Sequence, residues 1–154
     1  MKTIDLNARV QYWLDELKAS GYRLTSARHS VVEILAASLY TLNPTQIYFE
    51  AHRLSPDLGL VTVYRTLEKL EDLGLIQRVH QVDGCHSYIA APMGHQHLLI
   101  CDACNRAEYF SGDDLSNLIN RLDEERGFQI KGHWLQLHGM CPNCQQKNPK
   151  DPIK

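Results

Sequence analysis

The stretch that decides the fold runs from Val61 to Ala91 and reads VTVYRTLEKLEDLGLIQRVHQVDGCHSYIAA. Its hydrophobic period changes at Gly74. Before that point Val63, Leu67 and Leu70 recur at helical spacing, which predicts a helix over about 61–73 with the glycine as its stop signal. After it, residues 75–82 and 86–91 read as two short strands joined around Asp83-Gly84, a dipeptide suited to tight hairpin turns. A helix that feeds a two-stranded hairpin in this way outlines the end of a winged helix-turn-helix domain.

The upstream sequence supplies the remaining helices. Residues 5–19 place Val10, Trp13, Leu14 and Leu17 at helical spacing, and Gly21 follows. Thr25 is an N-cap candidate for a second helix carrying Val31, Ile34 and Leu35. Asn43-Pro44 opens a third helix running to about Arg53, and Ser55-Pro56-Asp57-Leu58-Gly59 is a turn by composition.

Downstream, the pattern is different. Ala90-Ala91-Pro92-Met93-Gly94 reads as a linker, 97–101 and 106–110 as strands, and 113–126 as a helix carrying Leu115, Leu118, Ile119 and Leu122. Residues 128–138 read as a third strand and 148–154 as a frayed tail. The expected class is α+β. It has a winged-helix domain over 1–90, a linker over 91–94, an α/β domain over 95–147 that holds metal, and the tail.

Composition agrees with two folded domains. The 154 residues are 44% apolar and 22% charged, which supplies a core and argues against disorder. No basic start followed by an apolar run is present, and no stretch approaches 18 apolar residues, so neither a secretory signal nor a membrane span is expected. The expected location is the cytoplasm. Net charge is −2, with nine Lys/Arg against ten Asp/Glu over 1–84 and seven against eight over 85–154. That balance argues against a protein that coats nucleic acid nonspecifically, but leaves room for a local basic patch. The metal-ligating residues are far less even, since all five Cys and five of the eight His follow residue 84.

Cys101-Asp-Ala-Cys104 and Cys141-Pro-Asn-Cys144 are two CxxC pairs whose first cysteines stand 40 residues apart. Each pair puts two sulfurs on one turn, and two such turns can close a tetrahedral four-sulfur shell around Zn2+. A redox pair normally comes singly beside a βαβ pattern, which is missing, and structural disulfides are rare in a reducing compartment. A zinc deaminase needs His-x-Glu, and no histidine here has Glu two positions later.

His95-Gln96-His97 lies just before the first CxxC, and on a strand both imidazoles face the same way. With His133 and a carboxylate from Glu108, Asp113 or Asp114 they form a candidate second site. Its donors suit zinc or Fe(II), and also Mn(II).

On the fourth helix, Thr62, Tyr64, Arg65, Thr66 and Lys69 fall off the apolar face. An Arg near the start of such a helix can pair with guanine in the major groove, and Thr or Tyr can hold phosphate or a thymine methyl. Lys18, Arg23 and Arg28, with no acid between them, add a basic strip.

Taken together, Arg23-Leu-Thr-Ser-Ala-Arg28, Thr62-Val-Tyr-Arg-Thr-Leu67, HQHLLICDAC ending at Cys104, and Gly139-Met-Cys-Pro-Asn-Cys144 resemble the ferric uptake regulator family over about residues 10–146. The resemblance implies a homodimeric, metal-responsive repressor of metal-uptake or stress genes. It implies an N-terminal winged helix, a C-terminal dimerisation domain, and a pseudo-palindromic double-stranded DNA operator as partner. By position, Cys101, Cys104, Cys141 and Cys144 match the family's structural zinc ligands, and Tyr64 and Arg65 match DNA-contacting residues. His95, His97 and His133 match the site inside the dimerisation domain.

The sequence also departs from the family. Gln96 and Leu98 occupy the phase that helps form the interdomain sensing site, and Gln77 and Ala91 stand where zinc-sensing relatives often place ligands. His80, Cys85 and His86 on the wing are the nearby replacements. Two other classes fit the residues taken alone. One is a small zinc hydrolase using His95, His97 and a carboxylate to activate water. The other is a zinc-stapled interaction module that binds no DNA.

Overall fold

The computed structural model describes residues 5–80, 84–112 and 115–147. The chain divides into two compact units between Ala91 and Pro92.

The first unit holds α1 (Leu6–Ala19), α2 (Ser26–Ala37), α3 (Pro44–Leu54), α4 (Leu60–Asp72), β1 (Ile76–His80) and β2 (His86–Ala90). The helix starts follow from their caps. Thr25 accepts a hydrogen bond from the Arg28 amide, and Asn43 and Gln46 exchange bonds in a capping box with Pro44 in the first turn. Gly74, at φ +67°, takes the left-handed conformation that ends α4 and starts the turn into β1. Trp13, Leu17, Val31, Leu35, Ile47, Val63, Leu67 and Leu70 build one core. β1 and β2 pair antiparallel from Ile76↔Ala90 to His80↔His86. Leu42, between α2 and α3, exchanges backbone hydrogen bonds of 2.9 and 2.8 Å with Tyr88 and so docks the helices on the hairpin. The Asp83 end of the expected hairpin turn, and Gln81 and Val82, lie outside the described residues.

The second unit holds β3 (His97–Cys101), β4 (Ala107–Phe110), α5 (Ser116–Arg126), β5 (Gln136–Gly139) and α6 (Pro142–Lys147). Its sheet order is β4-β3-β5, with β3 antiparallel to β4 and parallel to β5. The fold is therefore α+β, a helical part closed by a two-stranded hairpin, followed by an α/β part with a four-cysteine cluster. Two expectations change. The third strand spans 136–139 rather than 128–138, because only Leu98–Cys101 offer it a ladder, and Phe128 is left 73% exposed. The short helix α6 opens at Pro142, inside the second CxxC, where the sequence reading had only a turn. The 148–154 tail lies outside the described residues. No helix among the described residues is long and apolar enough to cross a membrane.

Candidate functional site

The parallel pairing of β5 with β3 brings the two CxxC pairs together. Cys101 ends β3 opposite Gly139 of β5, so the chain leaves β5 two residues before Cys141 and beside the first knuckle. Asn105, at φ +62°, turns the chain so that its amide bonds the Cys101 carbonyl at 2.8 Å. The Cys141 amide donates to Cys101 Sγ at 3.3 Å, and Cys104 Sγ lies 3.8 Å from Cys141 Sγ. All four sulfurs lie within 4.8 Å of one another. Sulfurs bound at about 2.3 Å around one tetrahedral zinc stand about 3.8 Å apart, so this cluster is consistent with a structural zinc. His138 on β5 steadies the knuckle: its Nδ1–H donates to Asp102 at 2.8 Å, and Nε2 accepts from the Gln136 amide at 2.6 Å.

The thiols divide their protons unequally. Burial pushes the Cys101 thiol up, but bonds from the Cys141, Cys104 and Ala103 amides outweigh it and bring the thiol down to about 6. Cys144 is pushed up to about 12, chiefly by its hydrogen bonds to Cys141 and Cys104. The cluster thus draws Cys101 toward the thiolate and holds Cys144 as the thiol.

A second cluster lies in the same unit. His95 precedes β3, His97 is its first residue and fully buried, and His133 lies in the segment leading to β5 rather than on a strand. One nitrogen from each lies within 4.8 Å of the others. His95 Nε2 and His133 Nε2 are 3.2 Å apart, and the His97 and His133 rings stack with centroids at 5.1 Å. Three neutral imidazoles of this kind suit zinc or Fe(II). Glu108 is not among them. It sits on β4 opposite Leu99 and pairs with Arg106 at 2.6 Å. Asp113 and Asp114 lie outside the described residues.

On the wing, His80 and His86 face each other across β1 and β2, and Cys85 is exposed beside them. Among the described residues these three do not converge as a three-ligand group.

The outer face of α4 begins with Val61, 63% exposed, and continues with Tyr64, 51% exposed, and exposed Arg65. Thr62 is half-buried. Thr66 does not belong to that face. It is completely buried and donates its hydroxyl to the Thr62 carbonyl at 2.7 Å. The reason is geometric: three residues after Val63 falls back on the core stripe. Val61 was missed by the sequence reading, although its place one turn before Tyr64 was a signal. Lys69 is tied down, with Nζ 3.4 Å from Asp72 and 5.4 Å over the Tyr22 ring. Those two partners, Tyr22 first, raise its pKa. The same ring carries the Arg28 guanidinium at 5.9 Å, and Arg28 also donates to the Arg23 carbonyl. Tyr22 therefore joins the basic strip to α4, a role absent from the sequence reading. Lys18 and Arg23 are exposed.

The model of the Ferric uptake regulator family matches residues 19–138. The Ferric uptake regulation protein of Bacillus subtilis (strain 168) is 32% identical over 136 residues, covering 86% of this chain and 91% of that protein. A solved zinc uptake regulator complexed with zinc and DNA superposes with a TM-score of 0.71 at 18% identity, covering 96% of this chain and 99% of that one. The Helicobacter pylori ferric uptake regulator, described with three functional metal binding sites, gives 0.69 at 21% identity over 94% and 97%.

Proposed function

The chain belongs to the ferric uptake regulator family of metal-responsive, DNA-binding transcriptional regulators, and from that premise we propose that it is a homodimeric repressor switched by a cation on His95, His97 and His133. Membership sets aside the hydrolase and the interaction-module alternatives, because the family consists of transcription regulators without enzymatic activity. The single observation that carries the switch is the convergence of three imidazoles, one of them wholly buried, outside the four-cysteine cluster.

In this reading Cys101, Cys104, Cys141 and Cys144 hold a permanent zinc that folds the second unit, and the three histidines hold the metal that varies. That metal is zinc or Fe(II), with Mn(II) as the weaker fit to an all-imidazole set. Binding stabilises the dimer arrangement in which both recognition helices reach major grooves of one pseudo-palindromic operator, so metal and DNA affinities are reciprocally coupled. Val61, Tyr64 and Arg65 read bases, with Thr62 at the edge of that surface. Lys18, Arg23, Arg28 and Lys69 supply the phosphate-facing charge. The regulated genes are those of metal uptake or stress, and the protein works in the cytoplasm.

Self-association is supported by what the second unit leaves uncovered. α5 buries none of its residues, and Leu99, Leu118, Phe128, Trp134 and Leu137 are all exposed by 41% or more. So much apolar surface on a small unit is the composition of an interface. The deciding experiment pairs elemental analysis of protein purified without added metal with operator-binding titrations across zinc, iron and manganese. Operator affinity that no metal changes would overturn the proposal.

A further inference from the structure

The wing carries a histidine pair that the switch does not use. His80 ends β1, His86 begins β2, and the two are register partners. Residues directly opposite in an antiparallel pair project to one face, and both of these are exposed. Their ring centroids lie 5.0 Å apart at an interplanar angle of 80°.

That spacing fits two ligands of one cation. Two imidazoles held at about 2.0–2.1 Å from one cation have centroids about 4.5–5.2 Å apart over the angles of octahedral and tetrahedral coordination. The three ring pairs of the His95, His97 and His133 cluster measure 4.8, 4.6 and 5.1 Å. The wing pair falls inside the same range. The strand ladder already fixes both backbones, so closing on an ion requires little more than ring rotation, and little conformational freedom is lost.

We propose that His80 and His86 form a separate, exchangeable site for a late first-row divalent cation such as zinc or nickel. Imidazole nitrogen suits these ions. Two protein ligands among the described residues leave further positions open to water, which makes the site weaker than the three-histidine and four-cysteine clusters. Cys85, although it precedes His86, does not converge with both rings and is not a ligand. The assignment stands independently of the regulatory reading, since none of its ligands belongs to the other two clusters.

Nickel is the probe, because its paramagnetism marks the amides around it. Zinc-loaded full-length protein is titrated with Ni2+, with bound nickel measured by equilibrium dialysis and amide signals by NMR. The expected result is perturbation of the Val79, His86 and Ser87 amides. His86→Gln and His80→Gln should each remove one nickel per chain together with that perturbation, and Cys85→Ser should keep both. In a His97→Ala background the wing signals should still respond, which separates failure of this site from failure of the regulatory cluster. Either substitution alone suffices if the other disturbs the hairpin, and retained zinc reports the fold of the second unit. Nickel stoichiometry and wing perturbation unchanged in His86→Gln or His80→Gln would overturn the assignment. So would their complete loss in Cys85→Ser.

Discussion

His95 Nε2 and His133 Nε2 stand 3.2 Å apart although 38 residues separate them in the chain. At that distance two ring nitrogens share one proton or face one cation. His97 completes the set from the start of β3, at centroid distances of 4.8 Å from His95 and 5.1 Å from His133. Replacing His97 with Ala should therefore remove one non-structural metal per chain and weaken metal-stimulated operator binding, while the metal on the four cysteines stays. Elemental analysis and a metal-dependent DNA-binding titration check both halves. A wild-type metal response in this variant would detach the cluster from regulation.

The four-cysteine cluster makes a different prediction. The second unit has few wholly enclosed side chains, chiefly His97, Leu98, Ile100, Cys101 and Ala107. Apparent zinc-binding energies at structural sites run to about 10–16 kcal/mol, as large as the whole stability of a domain. Cys144→Ser should release the zinc and unfold the second unit while α1–α4 keep their helicity, read by circular dichroism and thermal melting. Proton counting gives an independent check. Cys144, pushed up to about 12, keeps its proton at neutral pH in the metal-free cluster, so zinc must displace it. Zinc uptake should release protons, and zinc affinity should fall as pH drops. Calorimetry in buffers of different ionisation enthalpy measures the release.

Arg65 and Thr66 are neighbours with opposite fates. Arg65 is exposed on α4, whereas Thr66 is fully buried and bonded to the Thr62 carbonyl. Arg65→Ala should cost about 1–3 kcal/mol at a specific operator and leave thermal stability alone. Thr66→Ala should lower stability by about 1–2 kcal/mol through its lost methyl and hydrogen bond, with operator contacts spared once the variant is folded. Lys18→Ala should weaken all DNA sequences evenly and flatten the salt dependence. Electrophoretic shift assays at several salt concentrations, beside melting curves, separate the three. Undiminished operator affinity in Arg65→Ala would remove that residue from the reading surface.

The first unit was legible because its signals are local. Thr25, Asn43-Pro44 and Gly74 mark helix ends by chemistry that acts within three or four residues, and the structure places all three as read. The four cysteines were legible because CxxC spacing reflects a single turn. What escaped depends on distant partners. The third strand is short because β3 is short, a fact invisible in the Phe128–Leu135 sequence itself. Thr66 was misplaced because a hydroxyl reads as polar until its i−4 carbonyl bond is known. Tyr22 shows the same limit, since nothing near it in sequence announces that Lys69 lies over its ring.

The proposed dimer supplies the last prediction. Leu99 on β3 and Leu137 on β5 are register partners, so their side chains share one face of the sheet. They are 45% and 43% exposed. In a unit with so few enclosed residues, an apolar pair at the sheet's centre and edge is the kind of surface that a second copy of the chain would cover. Leu137→Asp should turn that face against itself, because a two-fold interface brings each substitution in twice. Sedimentation or light scattering should then report a monomer, and operator affinity should fall because one chain can occupy only a half-site. Zinc content should hold, since the knuckle's backbone bonds at Cys101, Asp102 and Asn105 do not involve Leu137. A Leu137→Asp protein that stays dimeric would place the interface elsewhere on the chain.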